Sequence, residues 1–179
     1  PTYDSAIVNG DPSEWIPADD FFTHMYKGWN PDKDILSDAY LRYDCSENVM
    51  YIFVEKTTIH PIMAQDGDEV YVKIDGEKKV SSDDENRVGQ TTFQWINKSG
   101  GYADGWEASF PLSEGIYEIV IHNNVWDGAE QTSGTDKNGV NVCILCPDLD
   151  FGDAPDATYP TLEANDGARH TVIIDGLML

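Results

Sequence analysis

Apolar and polar residues alternate with a period of two along most of the first 147 residues. Trp106-Glu-Ala-Ser-Phe110 puts Trp106, Ala108 and Phe110 on one side of an extended chain, and Gln90-Thr-Thr-Phe-Gln-Trp-Ile96 alternates in the same way. That pattern predicts strands with one buried face. Residues 39–44 and 49–55 are rich in β-branched and aromatic side chains and are joined by Cys45-Ser-Glu-Asn48, a loop of hairpin length. Residues 70–74 and 77–80 flank Asp75-Gly76, a two-residue hairpin turn. The run 116–123 carries Tyr117, Ile119 and Ile121 on one side, and 140–145 is a further apolar strand. Only residues 12–26 offer a helical turn or two. Pro17 interrupts them, and Asp19-Asp20 stands ready to cap the turn after it. Short strands separated by turn signals predict an all-β chain, an antiparallel β-sandwich of jelly-roll or immunoglobulin-like type.

The pattern changes at Pro147. Residues 148–179 hold seven acids against the single Arg169, with glycines and prolines between them, and one apolar run, Thr171-Val-Ile-Ile174. A lone strand cannot bury itself. The expected organisation is therefore a β-sandwich module over 1–147, followed over 148–179 by an acidic linker and the start of another surface-protein domain. The chain begins abruptly at Pro1 with no signal peptide and reads as a mature or excised piece. No apolar run approaches the ~20 residues that span a bilayer, so membrane insertion is not expected.

Charge narrows the partners. There are 33 acids against 11 Lys and Arg, a formal net charge of −22, which repels nucleic acid. Clustered carboxylates are the ligands of hard Ca²⁺, so Ca²⁺ is the expected cofactor. Of the three cysteines, Cys143 and Cys146 form a CxxC in an apolar strand before a proline, without a second pair for zinc or a βαβ context for redox chemistry. A disulfide from Cys45 to Cys143 or Cys146 is expected instead, which fits an oxidising compartment and a secreted or cell-surface protein.

Two resemblances carry this further. Ile7-Val-Asn-Gly-Asp-Pro-Ser-Glu-Trp15, Asp38-Ala-Tyr-Leu-Arg-Tyr-Asp44 and Met50-Tyr-Ile-Phe-Val54 resemble the opening third of family 9-type carbohydrate-binding modules and related sandwiches. The resemblance implies a β-sandwich, often with structural Ca²⁺, and sugar binding between aromatic rings; it also makes Asp11 a metal candidate. Asp150-Phe-Gly-Asp-Ala-Pro-Asp156, with Tyr159-Pro-Thr-Leu162 and Asn165-Asp-Gly-Ala-Arg-His170, is similar to a segment recurring in large multidomain bacterial surface and adhesin-like proteins. It implies an extracellular, modular context, with the neighbouring domains of the same polypeptide as partners.

Flat rings stack on the apolar faces of pyranoses while amides and carboxylates meet the hydroxyls. Trp29, Trp95, Tyr102, Trp106 and Trp126 are the aromatic candidates near loops or strand ends. Residues 95–106 wrap three rings around a Gly-rich loop, and Asn123-Asn-Val-Trp-Asp127 is a second polar-aromatic loop. The expected ligand contacts are Trp95, Tyr102, Trp106, Trp126 and Asp127, with Trp95 and Trp106 also fitting core positions of their strands. The expected metal ligands are Asp11, Asp148, Asp150, Asp153 and Asp156. No histidine pair has metal spacing and no Gly-x-Ser-x-Gly elbow is present. The reading is a non-catalytic, Ca²⁺-stabilised module that binds a glycan or another cell-surface ligand. The alternatives are a structural spacer stiffened by Ca²⁺ and a glycan-active enzyme domain.

Overall fold

The computed structural model describes residues 1–57 and 59–147, together with the backbone of 149–150 and 170–171. The chain divides into two compact units, Pro1–Ile144 and Leu145–Leu179. In the second, Leu149–Asp150 pairs antiparallel with His170–Thr171; the rest of the expected strand over 171–174 lies outside the described residues.

The first unit is all-β. Its strands are β1 (Phe21–Lys27), β2 (Ile35–Asp44), β3 (Val49–Lys56), β4 (Ile62–Met63), β5 (Tyr71–Ile74), β6 (Glu77–Ser81), β7 (Thr92–Ile96), β8 (Tyr102–Ala103), β9 (Gly105–Pro111), β10 (Gly115–Trp126), β11 (Glu130–Gly134) and β12 (Val140–Ile144). They form one antiparallel sheet in the order β6-β5-β10-β11-β1-β2-β3-β9-β7, with β12 and β4 also pairing β10, and β8 pairing β4. The sheet folds over on itself as a sandwich, and its inner faces supply the core. Met25, Ala39, Leu41, Tyr43, Met50, Ile52 and Val54 from β1–β3 meet Phe93, Trp106, Ala108 and Phe110 from β7 and β9, and Ile119, Ile121 and Val125 from β10; all are almost wholly buried. Period-two side-chain alternation is what sorts these residues inward.

The expected helical stretch is short. A 3-10 turn covers Pro12–Glu14, one α-helical turn covers Pro17–Asp20, and the chain then enters β1. The turn stops there because Asp20 is committed elsewhere. Its Oδ2 accepts from the Ile16 amide at 2.8 Å and from Arg42 Nε and Nη2 at 3.0 and 2.8 Å. Burial alone would raise the Asp20 carboxyl, but the Arg42 guanidinium and these donors together carry it below the ordinary range. Arg42 also donates to the Ser5 and Glu14 carbonyls and lies over the Trp15 ring at 5.1 Å. The N-terminal segment is thereby pinned on the outer face of β2, β3 and β9, where Ala6, Trp15, Tyr40, Phe53 and Ile96 form a second, smaller core.

Cys45 and Cys146 are each disulfide-bonded, and Cys143 is a free, exposed thiol. That removes Cys143 from the expected pair.

Candidate functional site

The longest strand, β10, carries the site. Ile119, Ile121, Asn123 and Val125 point into the core, so Val120, His122, Asn124 and Trp126 share the opposite face. His122 and Asn124 are nevertheless only 6% and 3% exposed, because other elements lie over them. The indole of Trp29 stacks on His122 with ring centroids 4.7 Å apart and planes 9° from parallel, and Tyr71 of β5 approaches from the other side at 5.1 Å. Burial pushes the His122 imidazole down to about 4, so it is neutral at physiological pH. Its Nδ1 has no hydrogen-bond partner.

Trp29 sits in the loop between β1 and β2 at a φ of +61°, a region that disfavours large side chains. Three features hold it. Its amide donates to the Tyr26 carbonyl at 3.2 Å, the neighbouring Gly28 amide donates to Thr132 at 2.9 Å, and the ring lies directly over Gly134. A Cβ on Gly134 would come within 2.3 Å of the Trp29 ring, so only glycine admits the indole here.

Next along the strand comes a cluster of amides and carboxylates. The two N–H groups of Asn124 Nδ2 are shared among Gln65 Oε1 at 3.1 Å, Glu69 Oε2 at 2.9 Å and Glu130 Oε1 at 2.6 Å, and Gln65 Nε2 donates to Glu130 Oε1 at 3.1 Å. Asn124 Oδ1 is buried without a partner. Trp126, 40% exposed, is the cross-strand neighbour of Glu130 on this face. It stands four residues from His122, roughly 13 Å along the strand. In register, Ile62, Ala103 and Val125 are all buried. That alternation turns Tyr102 of β8, 37% exposed, to the Trp126 side of the sheet.

Beside Trp29 and Tyr71 the surface opens into a cleft of about 330 Å³, also lined by Lys73, Glu118, Val120 and Lys137. A hollow of about 390 Å³ shares Trp29 and Lys137 with it and also has Gly28, Asn30 and Asp136 in its walls. Another cleft of about 390 Å³, between Ala6–Val8 and the β3 and β7 edge, offers Tyr51 as its single ring and no cation.

Two expected ligand contacts are overturned. Trp95 and Trp106 are cross-strand partners facing the interior, 6% and 0% exposed, with Phe93 packed against both at 4.9 and 5.3 Å. The Gly-rich loop is at the surface, but the alternation of β7 and β9 turns both indoles inward. Asp127 is engaged by its neighbours. It pairs with Lys27 at 3.2 Å and accepts from Gln131 at 3.1 Å, and the Lys27 ammonium holds its carboxyl below the usual range. Asp11 caps the first 3-10 turn, its Oδ1 accepting from the Ser13 amide at 3.0 Å. Asp148, Asp153, Asp156 and the side chain of Asp150 lie outside the described residues. Among the described residues, no three His, Cys, Asp or Glu side chains converge as metal ligands do.

Sequence reasoning picked out Trp29 and the polar-aromatic segment 123–127 that holds Asn124, which is the end of strand β10 rather than a loop, but passed over Tyr71, His122, Gln65 and Glu130. One signal was available: His122-Asn-Asn124 is a polar triplet inside the longest apolar strand. Comparison with protein-family models, with curated proteins and with solved structures finds no match.

Proposed function

We propose that this chain is a non-catalytic, extracellular glycan-binding module that takes its ligand across the outer face of β10. The observation that carries the reading is one row of side chains. Trp29 and Tyr71 stand at one end, Trp126 at the other, and Gln65, Glu69, Asn124 and Glu130 lie between. Aromatic walls around a floor of planar amides and carboxylates match what a pyranose presents, an apolar ring face with hydroxyls at its edge. Disulfide-bonded Cys45 and Cys146 support an oxidising compartment. A glycan array followed by titration calorimetry tests the proposal. Trp29→Ala and Trp126→Ala each weaken binding at least about tenfold, and no glycan is hydrolysed. Binding that survives both substitutions removes this face as the site.

Calcium belongs to the proposal as a stabilising ion of the acidic stretch around Asp148, Asp150, Asp153 and Asp156, on the strength of its carboxylate density. An ion bound only by the folded state at a hundredfold excess over Kd adds about 2.7 kcal/mol of stability. Millimolar Ca²⁺ therefore raises the melting temperature and EDTA lowers it. Identical melts in both would reject the calcium part and leave glycan binding standing.

A further inference from the structure

Among the described residues, seven of the ten lysines and arginines pair with a carboxylate. Lys27 pairs with Asp127, Arg42 with Asp20, Lys56 with Asp104, Lys78 with Asp68, Lys79 with Glu77, Arg87 with Asp84 and Lys98 with Glu85. Among the described residues that leaves Lys33, Lys73 and Lys137 without a carboxylate partner, although the chain holds 33 acids. All three gather at Trp29. Lys73 and Lys137 line the cleft beside Trp29 and Tyr71, and Lys137 also lines the adjoining hollow. The Lys33 ammonium lies 4.0 Å from the Cβ position of Gly28, in the wall of that same hollow. Lys73 Nζ is held over the Tyr71 ring at 4.7 Å, with Lys78 over the same ring at 5.6 Å.

Two carboxylates, Glu118 and Asp136, share these walls. Neither closes an ion pair with the lysines, and Asp136 Oδ1 accepts from the Asn138 amide at 2.8 Å. His122 adds no charge, being neutral above about pH 4. Three lysines thus stand beside two carboxylates here, with Glu69 and Glu130 next along the strand, in a molecule of −22 overall. At physiological ionic strength charges more than ~8 Å away are largely screened, so a ligand at Trp29 meets Lys73 and Lys137, with Glu118 and Asp136 beside them, rather than the bulk of the acids.

Resting on the glycan-binding reading above, we propose that the sugar bound beside Trp29 and Tyr71 is anionic, its acidic group lying between Lys73 and Lys137. The acidic group is a uronate-type carboxylate or a sulfate ester, which share the chemistry of charge-assisted hydrogen bonds to ammonium.

The experiment is calorimetric titration of the full chain with oligogalacturonide, its methyl ester, chondroitin sulfate oligosaccharide and cello-oligosaccharide. The ester keeps the sugar skeleton and removes the charge. At least one acidic probe binds roughly tenfold or more tighter than the neutral probes, and which one distinguishes carboxylate from sulfate. Lys73→Gln with Lys137→Gln abolishes that preference and leaves the melting temperature unchanged. Equal binding of neutral and acidic probes overturns this inference while glycan binding stands. A preference undiminished in the double variant also overturns it. No binding of any probe overturns both.

Discussion

Trp29 lies flat on His122, an indole on an imidazole 9° from parallel, and the contact depends on a third residue, Gly134. Gly134 is the register partner of His122 on β10 and of Tyr26 on β1. The missing side chain in the middle of the sheet is what lets a loop residue lie against the strand next door.

Gly134→Ala is therefore expected to displace the indole without dismantling the sheet. Its Cβ would meet the Trp29 ring at 2.3 Å, and overpacking of this kind costs about 1–3 kcal/mol. The expected outcome is a modest fall in the urea midpoint, an uncovered His122 whose NMR titration moves up toward the ordinary histidine range, and loss of the glycan binding proposed for this face. An imidazole that still titrates near its original value would show that Trp29 does not control its burial.

His122 also makes stability depend on pH. Its folded value is about 4 against an ordinary 6.5, so the fold prefers the neutral ring. A depressed folded value means that this contribution is fully present above pH 6.5 and is lost as the pH falls to about 4. The whole span is worth up to about 3 kcal/mol, of which about 1 kcal/mol goes between pH 7 and 5.5. The buried carboxyl of Glu107 is raised and works in the opposite direction, gaining stability as it protonates nearer its own range. Urea midpoints at pH 7 and 5.5 for the parent and for His122→Gln separate the histidine from the other groups, and the parent loses more stability over the interval than the variant. A variant that shifts as much as the parent contradicts a neutral, buried His122.

Much of the sandwich was legible from period-two stripes because those stripes are the inner faces of β2, β3, β7, β9 and β10. The Asp75-Gly76 turn was legible too, since both residues take the positive φ that a tight hairpin demands, +49° and +80°. β11 was not. Glu130-Gln-Thr-Ser-Gly134 has no apolar stripe, and it is held inside by Ser133 Oγ donating to Ser37 Oγ at 3.1 Å and by the cover of Trp29. β1 was hidden because its residues are mostly half-exposed, with Met25 alone fully buried. The site escaped for a related reason. Alternation within one strand cannot say which face another element will cover, so Trp95 and Trp106 were as eligible as Trp126, while Trp29, Tyr71 and His122 meet only through the pairing of strands far apart in sequence.

The thiols give a direct chemical check. With Cys45 and Cys146 bonded and Cys143 free and exposed, iodoacetamide should modify Cys143 alone in the native, unreduced chain. Reductant with denaturant should open all three to alkylation. Peptide mapping reads the outcome, and label on Cys45 or Cys146 before reduction contradicts the observed linkage. A disulfide typically stabilises by about 2–4 kcal/mol, so reduction also lowers the melting temperature.

Glu107 ties the N-terminal segment to the sheet, and its substitution separates charge from geometry. Its Oε1 accepts from Trp15 Nε1 at 2.9 Å, and its Oε2 accepts from the Gly10 and Asn9 amides at 2.8 and 3.2 Å. Burial raises the carboxyl, and these donors offset only part of that penalty. Glu107→Gln relieves the burial of charge but supplies one acceptor where two are required, so an amide N–H must face either the Trp15 indole or the Gly10 turn. Leaving a buried donor unpaired costs about 1–3 kcal/mol, so the melting temperature falls and amide exchange at Asn9 and Gly10 or at the Trp15 indole accelerates. Gly10 cannot adjust to follow, because it sits at a φ of +82° with the Trp95 carbonyl 2.7 Å from its Cβ position. A Glu107→Gln chain that melts as high as the parent and protects the same N–H groups would mean that the carboxylate is not what holds the segment.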